Sequence, residues 1–63
     1  MSHDQQTVLA AYDDAVRKLY ATLFDQYTSA GGNAAQEQQA EQHFTTGLGL
    51  ARRARDRALT LAG

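Results

Sequence analysis

The sequence contains neither cysteine nor proline. Without cysteine the chain can form no disulfide staple and no thiolate metal site, and the redox compartment is left undefined. The lack of proline, together with large apolar residues confined to clean faces, argues against disorder. An excess of one charge is also missing. Six Lys+Arg against seven Asp+Glu leave a net charge of -1, which gives no general attraction to polyanions and no acidic tail. No apolar run approaches the ~20 residues needed to cross a bilayer. The stretch Met1-Ser2-His3-Asp4-Gln5-Gln6 lacks the basic and apolar regions of a signal peptide, so a soluble cytoplasmic protein is expected, with no membrane partner. Bulk is scarce too: twelve of the apolar residues are alanine, and only fourteen besides Met1 are large aliphatics or aromatics. A chain of 63 residues makes a single domain whose core is marginal without disulfides, metals or association.

What is present is organised around Gly31-Gly32-Asn33. Consecutive glycines enter left-handed backbone conformations without a Cβ penalty, so one of them can close a helix. Asn33 is a favoured N-cap, and Gln36 stands three residues on, where a capping box places Glu or Gln. The pattern predicts one helical-hairpin domain over 1–63: a helix over about 4–30, a turn at 31–33 and a second helix over about 34–61. The fold class is all-α, an antiparallel helical hairpin expected to dimerise into a four-helix bundle.

In the first segment Ser2 or Asp4 can cap the start, and Ser2 with Gln5 matches a capping box. Leu9, Tyr12, Val16, Leu19, Leu23 and Ala30 then recur at spacings of three and four, with Gln26 filling the missing position. At 100° per residue, Val8, Leu9, Tyr12, Val16, Leu19, Tyr20, Leu23, Phe24 and Tyr27 cover an arc of about 160°. Asp13–Arg17 and Asp14–Lys18 are predicted i,i+4 pairs on the other face. An arc this wide exceeds what one partner helix covers, so Tyr20, Phe24 and Tyr27 need something else against them.

The second segment repeats the spacing through Ala40, Phe44, Gly47, Ala51, Ala54, Ala58 and Leu61. Gly47, Ala51, Ala54 and Ala58 make a nearly bare spine that permits close helix approach. Leu50 and Leu61 flank it on one side, and Phe44, Leu48 and Leu59 on the other. Two ridges around a shallow groove suit a helix with more than one neighbour. The expected contact surface is Tyr20, Phe24, Tyr27, Phe44, Leu48, Leu50 and Leu59. Gly49 falls on the polar side, where its presence is unexplained.

The polar features admit a functional and a structural reading. Arg52, Arg53, Arg55 and Arg57 could grip phosphates. They also complement a helix C-terminus, and Arg52–Asp56 is an i,i+4 pair. Arg55 falls in the apolar arc, where it can pair with Asp13 or stack on Tyr12. Arg52, Arg53 and Arg57 are therefore the nucleic-acid candidates of an alternative reading. His43 has Gln39, Ala40, Thr46 and Gly47 at its helical neighbour positions, and no Glu-x-x-His signature occurs. No metal, cofactor or small-molecule substrate is expected. Tyr12, Tyr20 and Tyr27 could stack bases, but at helical spacing inside an apolar arc they read as core or interface. No nucleophile-and-base constellation occurs, so no enzymatic activity is expected.

The layout around Gly31-Gly32-Asn33 is similar to that of the Rop family of RNA-binding proteins, whose hairpins pair into antiparallel four-helix bundles. The Ala- and Leu-bearing second helix also looks like the small co-chaperones of type III secretion needle subunits. These resemblances imply a dimeric RNA binder or an assembly partner, and neither transfers a contact residue. The leading expectation is a non-catalytic protein–protein interaction or assembly module, as a homodimer or with a helical partner. The alternative is a small dimeric nucleic-acid-binding regulator.

Overall fold

Each helix starts at a side-chain cap that the sequence supplies. In the computed structural model, which describes Met1–Gly63, Ser2 Oγ accepts from the Gln5 amide at 3.1 Å, and Gln5 Oε1 accepts from the Ser2 amide at 3.1 Å. This complete capping box opens α1, His3–Ala30, one residue earlier than an Asp4 start. Asn33 Oδ1 accepts from the Gln36 amide at 3.0 Å and opens α2, Ala34–Ala62. Here the box is only half formed. The Asn33 amide already donates to the Ala30 carbonyl at 3.0 Å, so Gln36 has no free donor to reach back to.

Between the helices, Gly31 sits at φ 57 and Gly32 at φ 87. Gly31 donates its amide to the Tyr27 carbonyl at 3.3 Å, closing α1 with a left-handed cap. At the far end, Gly63 donates to the Leu59 carbonyl at 3.0 Å, which carries α2 one residue past Leu61.

The two helices run antiparallel as an all-α hairpin. Bulk on α1 meets gaps on α2. A Cβ at Gly47 would lie 2.6 Å from Leu19 Cδ2, so the missing side chain is the space that Leu19 occupies. The least exposed line on α2 is Ala40, Phe44, Gly47, Ala51, Arg55, Ala58 and Ala62. Ala54 and Leu61, which the periodicity put on the seam, stand one position off it and are exposed. Arg55 takes the place of Ala54 because its guanidinium lies over the Tyr12 ring, 4.5 Å from the centroid.

Two of the expected ion pairs form with different partners. Arg17 pairs with Asp14 at 2.7 Å rather than with Asp13, which leaves no ion pair for Lys18. Asp56 pairs with Arg55 Nε at 2.9 Å rather than with Arg52, because Tyr12 holds that guanidinium beside it.

Only Ala30 and Ala40 are buried, and no large side chain is fully enclosed. The Cα envelope measures 45 × 15 × 9 Å, a slab one helix thick. Its radius of gyration is 14.5 Å, against about 11 Å for a compact domain of this length. Domains ordinarily enclose their core between packed layers. This hairpin is a single layer with two open faces.

Candidate interaction surface

At 100° per residue, the line through Tyr12 and Leu19 points at α2 and divides α1 into two flanks. Leu9, Val16, Tyr20, Phe24 and Tyr27 fall on one flank, and Val8, Ala11 and Ala15 on the other. Tyr20, Leu23, Phe24 and Tyr27 together line one shallow apolar hollow on the half of α1 nearest the turn. Tyr20 and Phe24 are each 60% exposed, Tyr27 37%. Phe44, Leu48 and Leu59 of α2 are half-buried beside this flank.

Tyr27 is held in place by its hydroxyl, which donates to Glu41 Oε2 across the helix pair. The Glu41 carboxylate stabilises the protonated phenol, and the nearby acidic charge of Glu41 and Glu37 opposes phenolate. The pKa of Tyr27 is accordingly pushed up to about 12. Sequence spacing on one helix gives no sign of this bond. Counting outward from the turn does not give it either, since Tyr27 stands four residues before Gly31 and Glu41 nine after Gly32.

The opposite face carries a groove of about 300 Å³ at the open end, lined by Val8, Ala11, Tyr12, Ala15, Ala51, Ala54, Arg55 and Ala58. Leu50 and Leu61 stand exposed beside it, at 54% and 71%. Of the small residues singled out for close approach, Gly47 touches Leu19, Ala51 and Ala58 are half-buried, and Ala54 opens onto the groove. Nearer the turn the same face is polar, a hollow lined by Thr22, Asp25, Gln26, Ser29, Gln36, Gln39, Ala40 and His43. No group of three His, Cys, Asp or Glu side chains comes together there or elsewhere.

The open end is held by Gln5. While its Oε1 completes the α1 cap, its Nε2 donates to the Leu59 carbonyl at 3.2 Å. One side chain thus ties the first turn of α1 to the last turn of α2. The capping box was legible in the sequence, but this second bond depends on the helices ending at the same height.

Arg52, Arg53 and Arg57 are exposed and make no ion pair. Helical spacing spreads them over about 140° of α2, so they form no single strip. Arg55 is half-buried, and its hydrogen bond to Asp56 shifts its pKa still higher than usual. Neither helix is long and apolar enough to cross a membrane. Comparisons of the chain with protein-family models, curated proteins and solved structures gave no match, so neither likeness of layout is carried further.

Proposed function

We propose that the protein is a non-catalytic assembly module. It works by laying the apolar flank of its hairpin against another protein and so completing a core that it lacks alone. One observation carries this reading: no large side chain is fully buried, while Tyr20 and Phe24 stand side by side at 60% exposure. Area arithmetic supports it. A folded chain of 6.9 kDa exposes about 4,000 Å² by the usual scaling with mass. This chain exposes 4657 Å², an excess of about 650 Å². A standard protein interface takes about 800 Å² from each partner. The unused surface is therefore close to one interface in size, and its exposed aromatics are the residue types enriched at interface centres.

Sedimentation combined with thermal unfolding over a range of concentrations tests this. An assembly module either self-associates with a midpoint that rises with concentration, or remains a poorly folded monomer awaiting its partner. A monomer that unfolds cooperatively at a concentration-independent midpoint overturns the reading.

The competing reading, a nucleic-acid-binding regulator, rests on the unpaired Arg52, Arg53 and Arg57. It predicts RNA or DNA affinity that falls steeply with salt and weakens on Arg52→Ala/Arg53→Ala. The net charge of -1 and the wide angular spread of these arginines weigh against it.

A further inference from the structure

The assembly reading leaves the chemistry of the partner open, and the distribution of charge narrows it. The contact of Leu19 with Gly47 marks the middle of the hairpin. From there to the turn and back, the chain holds Asp25, Glu37 and Glu41 and not one Lys or Arg. All six Lys+Arg lie on the other side of that contact. Asp25 belongs to the polar hollow of the opposite face. Glu37 and Glu41 border the aromatic flank: Glu41 accepts from the Tyr27 hydroxyl, and the charge of Glu37 reaches the same phenol. Neither carboxylate has an ion-pair partner. Arg17, the base one turn from Tyr20 on α1, is already paired with Asp14 at 2.7 Å. The exposed aromatics are therefore edged by acids that nothing in the chain compensates. Such a surface attracts an apolar surface edged by bases and repels one edged by acids.

Shape selects the form of that partner. From Glu37 to Leu48, α2 runs for about 16 Å, or about three helical turns. Beside it stand Tyr20, Phe24 and Tyr27 of α1, and the furrow between two antiparallel helices seats the ridge of a third. An extended segment would instead need an open sheet edge, and this fold contains only helices. A second copy fits less well. On the aromatic flank Arg52 is its one free base, because Arg55 is held by Tyr12 and Asp56. Laid antiparallel on itself about Leu48, the chain would set that arginine against Phe44, away from both acids.

We infer that the face bearing Tyr20, Phe24, Tyr27 and Phe44 docks an amphipathic helix of another protein, one whose aliphatic stripe is flanked by Lys or Arg. This deepens the assembly reading and rests on it. The stripe lies over the hollow of Tyr20, Leu23, Phe24 and Tyr27, and the flanking bases meet Glu37 and Glu41. Burial of the aromatics supplies the affinity, while the charges choose the partner.

Three designed peptides of about 18 residues, each ~27 Å long as a helix, test this chemistry. One carries a leucine stripe flanked by lysine. The second replaces its lysines with glutamate, and the third replaces its leucines with alanine. Each is titrated into the isotope-labelled chain at low ionic strength, where surface charges are least screened. Fluorescence anisotropy of the peptide gives the affinity, and amide NMR shifts give the place. The leucine–lysine peptide is expected to bind at least about tenfold tighter than either of the others. Its shifts gather at Tyr20, Phe24, Tyr27, Glu37 and Glu41 and leave Leu50 and Leu61 unmoved. In Glu37→Gln/Glu41→Gln the preference for lysine over glutamate shrinks to within a few-fold, with circular dichroism following the fold. Phe24→Ala keeps both acids and lowers the affinity about tenfold.

Equal binding of the lysine and glutamate peptides, or a lysine preference that survives in Glu37→Gln/Glu41→Gln, overturns the basic partner. Equal binding of the alanine peptide reduces the site to an acidic patch and overturns the docked helix. Shifts centred on Leu50 and Leu61 overturn the seat. A dimer whose aromatic face excludes the leucine–lysine peptide makes a second copy the occupant, and a poorly folded chain that binds no peptide overturns the basic helix. In each of these cases the assembly reading stands. A well-folded monomer with a concentration-independent midpoint removes that reading and the docked helix with it.

Discussion

The two ends of the hairpin hold their helices together by different means. At the turn the connection is covalent and short, and the backbone does the work: Gly31 and Gly32 reverse the chain while Ala30 and Ala40 pack closely beneath it. Tyr27 bridges the helices there through Glu41, while Tyr20 and Phe24 make no bond across the pair and remain exposed. At the open end no covalent link exists. Gln5 spans from the α1 cap to the Leu59 carbonyl, Tyr12 lies under Arg55, and Arg55 in turn holds Asp56. The backbone closes the turn end with Tyr20 and Phe24 left uncommitted, whereas Gln5, Tyr12 and Arg55 are committed to closing the other. The comparison explains why the exposed aromatics cluster toward the turn.

Under the proposed assembly reading, the largest expected difference between the ends lies in association. Phe24→Ala is expected to weaken assembly by at least about 2 kcal/mol, roughly thirtyfold, because it empties the middle of the aromatic hollow. Leu61→Ala removes a side chain of similar size and greater exposure at the open end on the other face. It is expected to change assembly by no more than about 0.5 kcal/mol. Equal losses in sedimentation would mean that the aromatic hollow is no privileged surface.

Stability divides the ends next. Gly31→Ala puts a Cβ on a residue at φ 57, with open space around it. The cost is therefore conformational, about 1–2 kcal/mol, and it lowers the midpoint of the whole unfolding transition. Gln5→Ala removes one bond of the capping box and the reach to Leu59, costing about 1 kcal/mol. Its effect is local: hydrogen exchange quickens in the first turn of α1 and the last turn of α2, with little change at the turn. Exchange that quickens along the whole hairpin would show that the open end is no separate unit.

How much of this could be read beforehand depended on whether a feature was local. Ser2 with Gln5, Asn33 and the double glycine announced the caps and the turn, because a cap involves residues within one helical turn of each other. Arg17's choice of Asp14 was less legible, since Asp13 and Asp14 both stand at favourable spacing and only the rotamer decides. Arg55 was legible on the apolar arc, with Tyr12 and Asp13 as its two expected partners, but the choice of Tyr12 and the displacement of Ala54 from the seam depend on the inter-helix register. The bonds Tyr27–Glu41 and Gln5–Leu59 are of the same kind. The exposed aromatic flank was foreseeable because an arc of about 160° exceeds what one neighbour can hide.

A smaller effect separates two glycines of α2, one of which the sequence left unexplained. Around Gly49 a new Cβ would meet nothing within 4 Å, so Gly49→Ala is expected to raise stability by about 0.5–1 kcal/mol through helix propensity alone. At Gly47 the same Cβ would stand 2.6 Å from Leu19 Cδ2, and Leu19 would have to turn aside. Gly47→Ala is therefore expected to gain less than Gly49→Ala, and thermal unfolding of the pair measures the difference.

The finest distinction is in titration, and it isolates the polar bond at the turn end. Tyr27 ionises in the folded chain at about 12, against 10.0 for an ordinary tyrosine, chiefly because its proton is shared with Glu41. Between those values the folded state holds a proton that the unfolded state has released, so stability must fall as pH rises. The contribution is complete below 10.0 and disappears as pH passes about 12. Glu41→Gln removes the carboxylate, and the phenol is expected to titrate closer to 10.0, followed by phenolate absorbance. Tyr27→Phe abolishes the high step altogether, and the alkaline loss of stability flattens with it. The open end makes no such bond, so Gln5→Ala is expected to leave the high step unmoved. If that variant shifted it, Tyr27 and Glu41 would be held by the hairpin as a whole, and the two ends would be one cooperative unit.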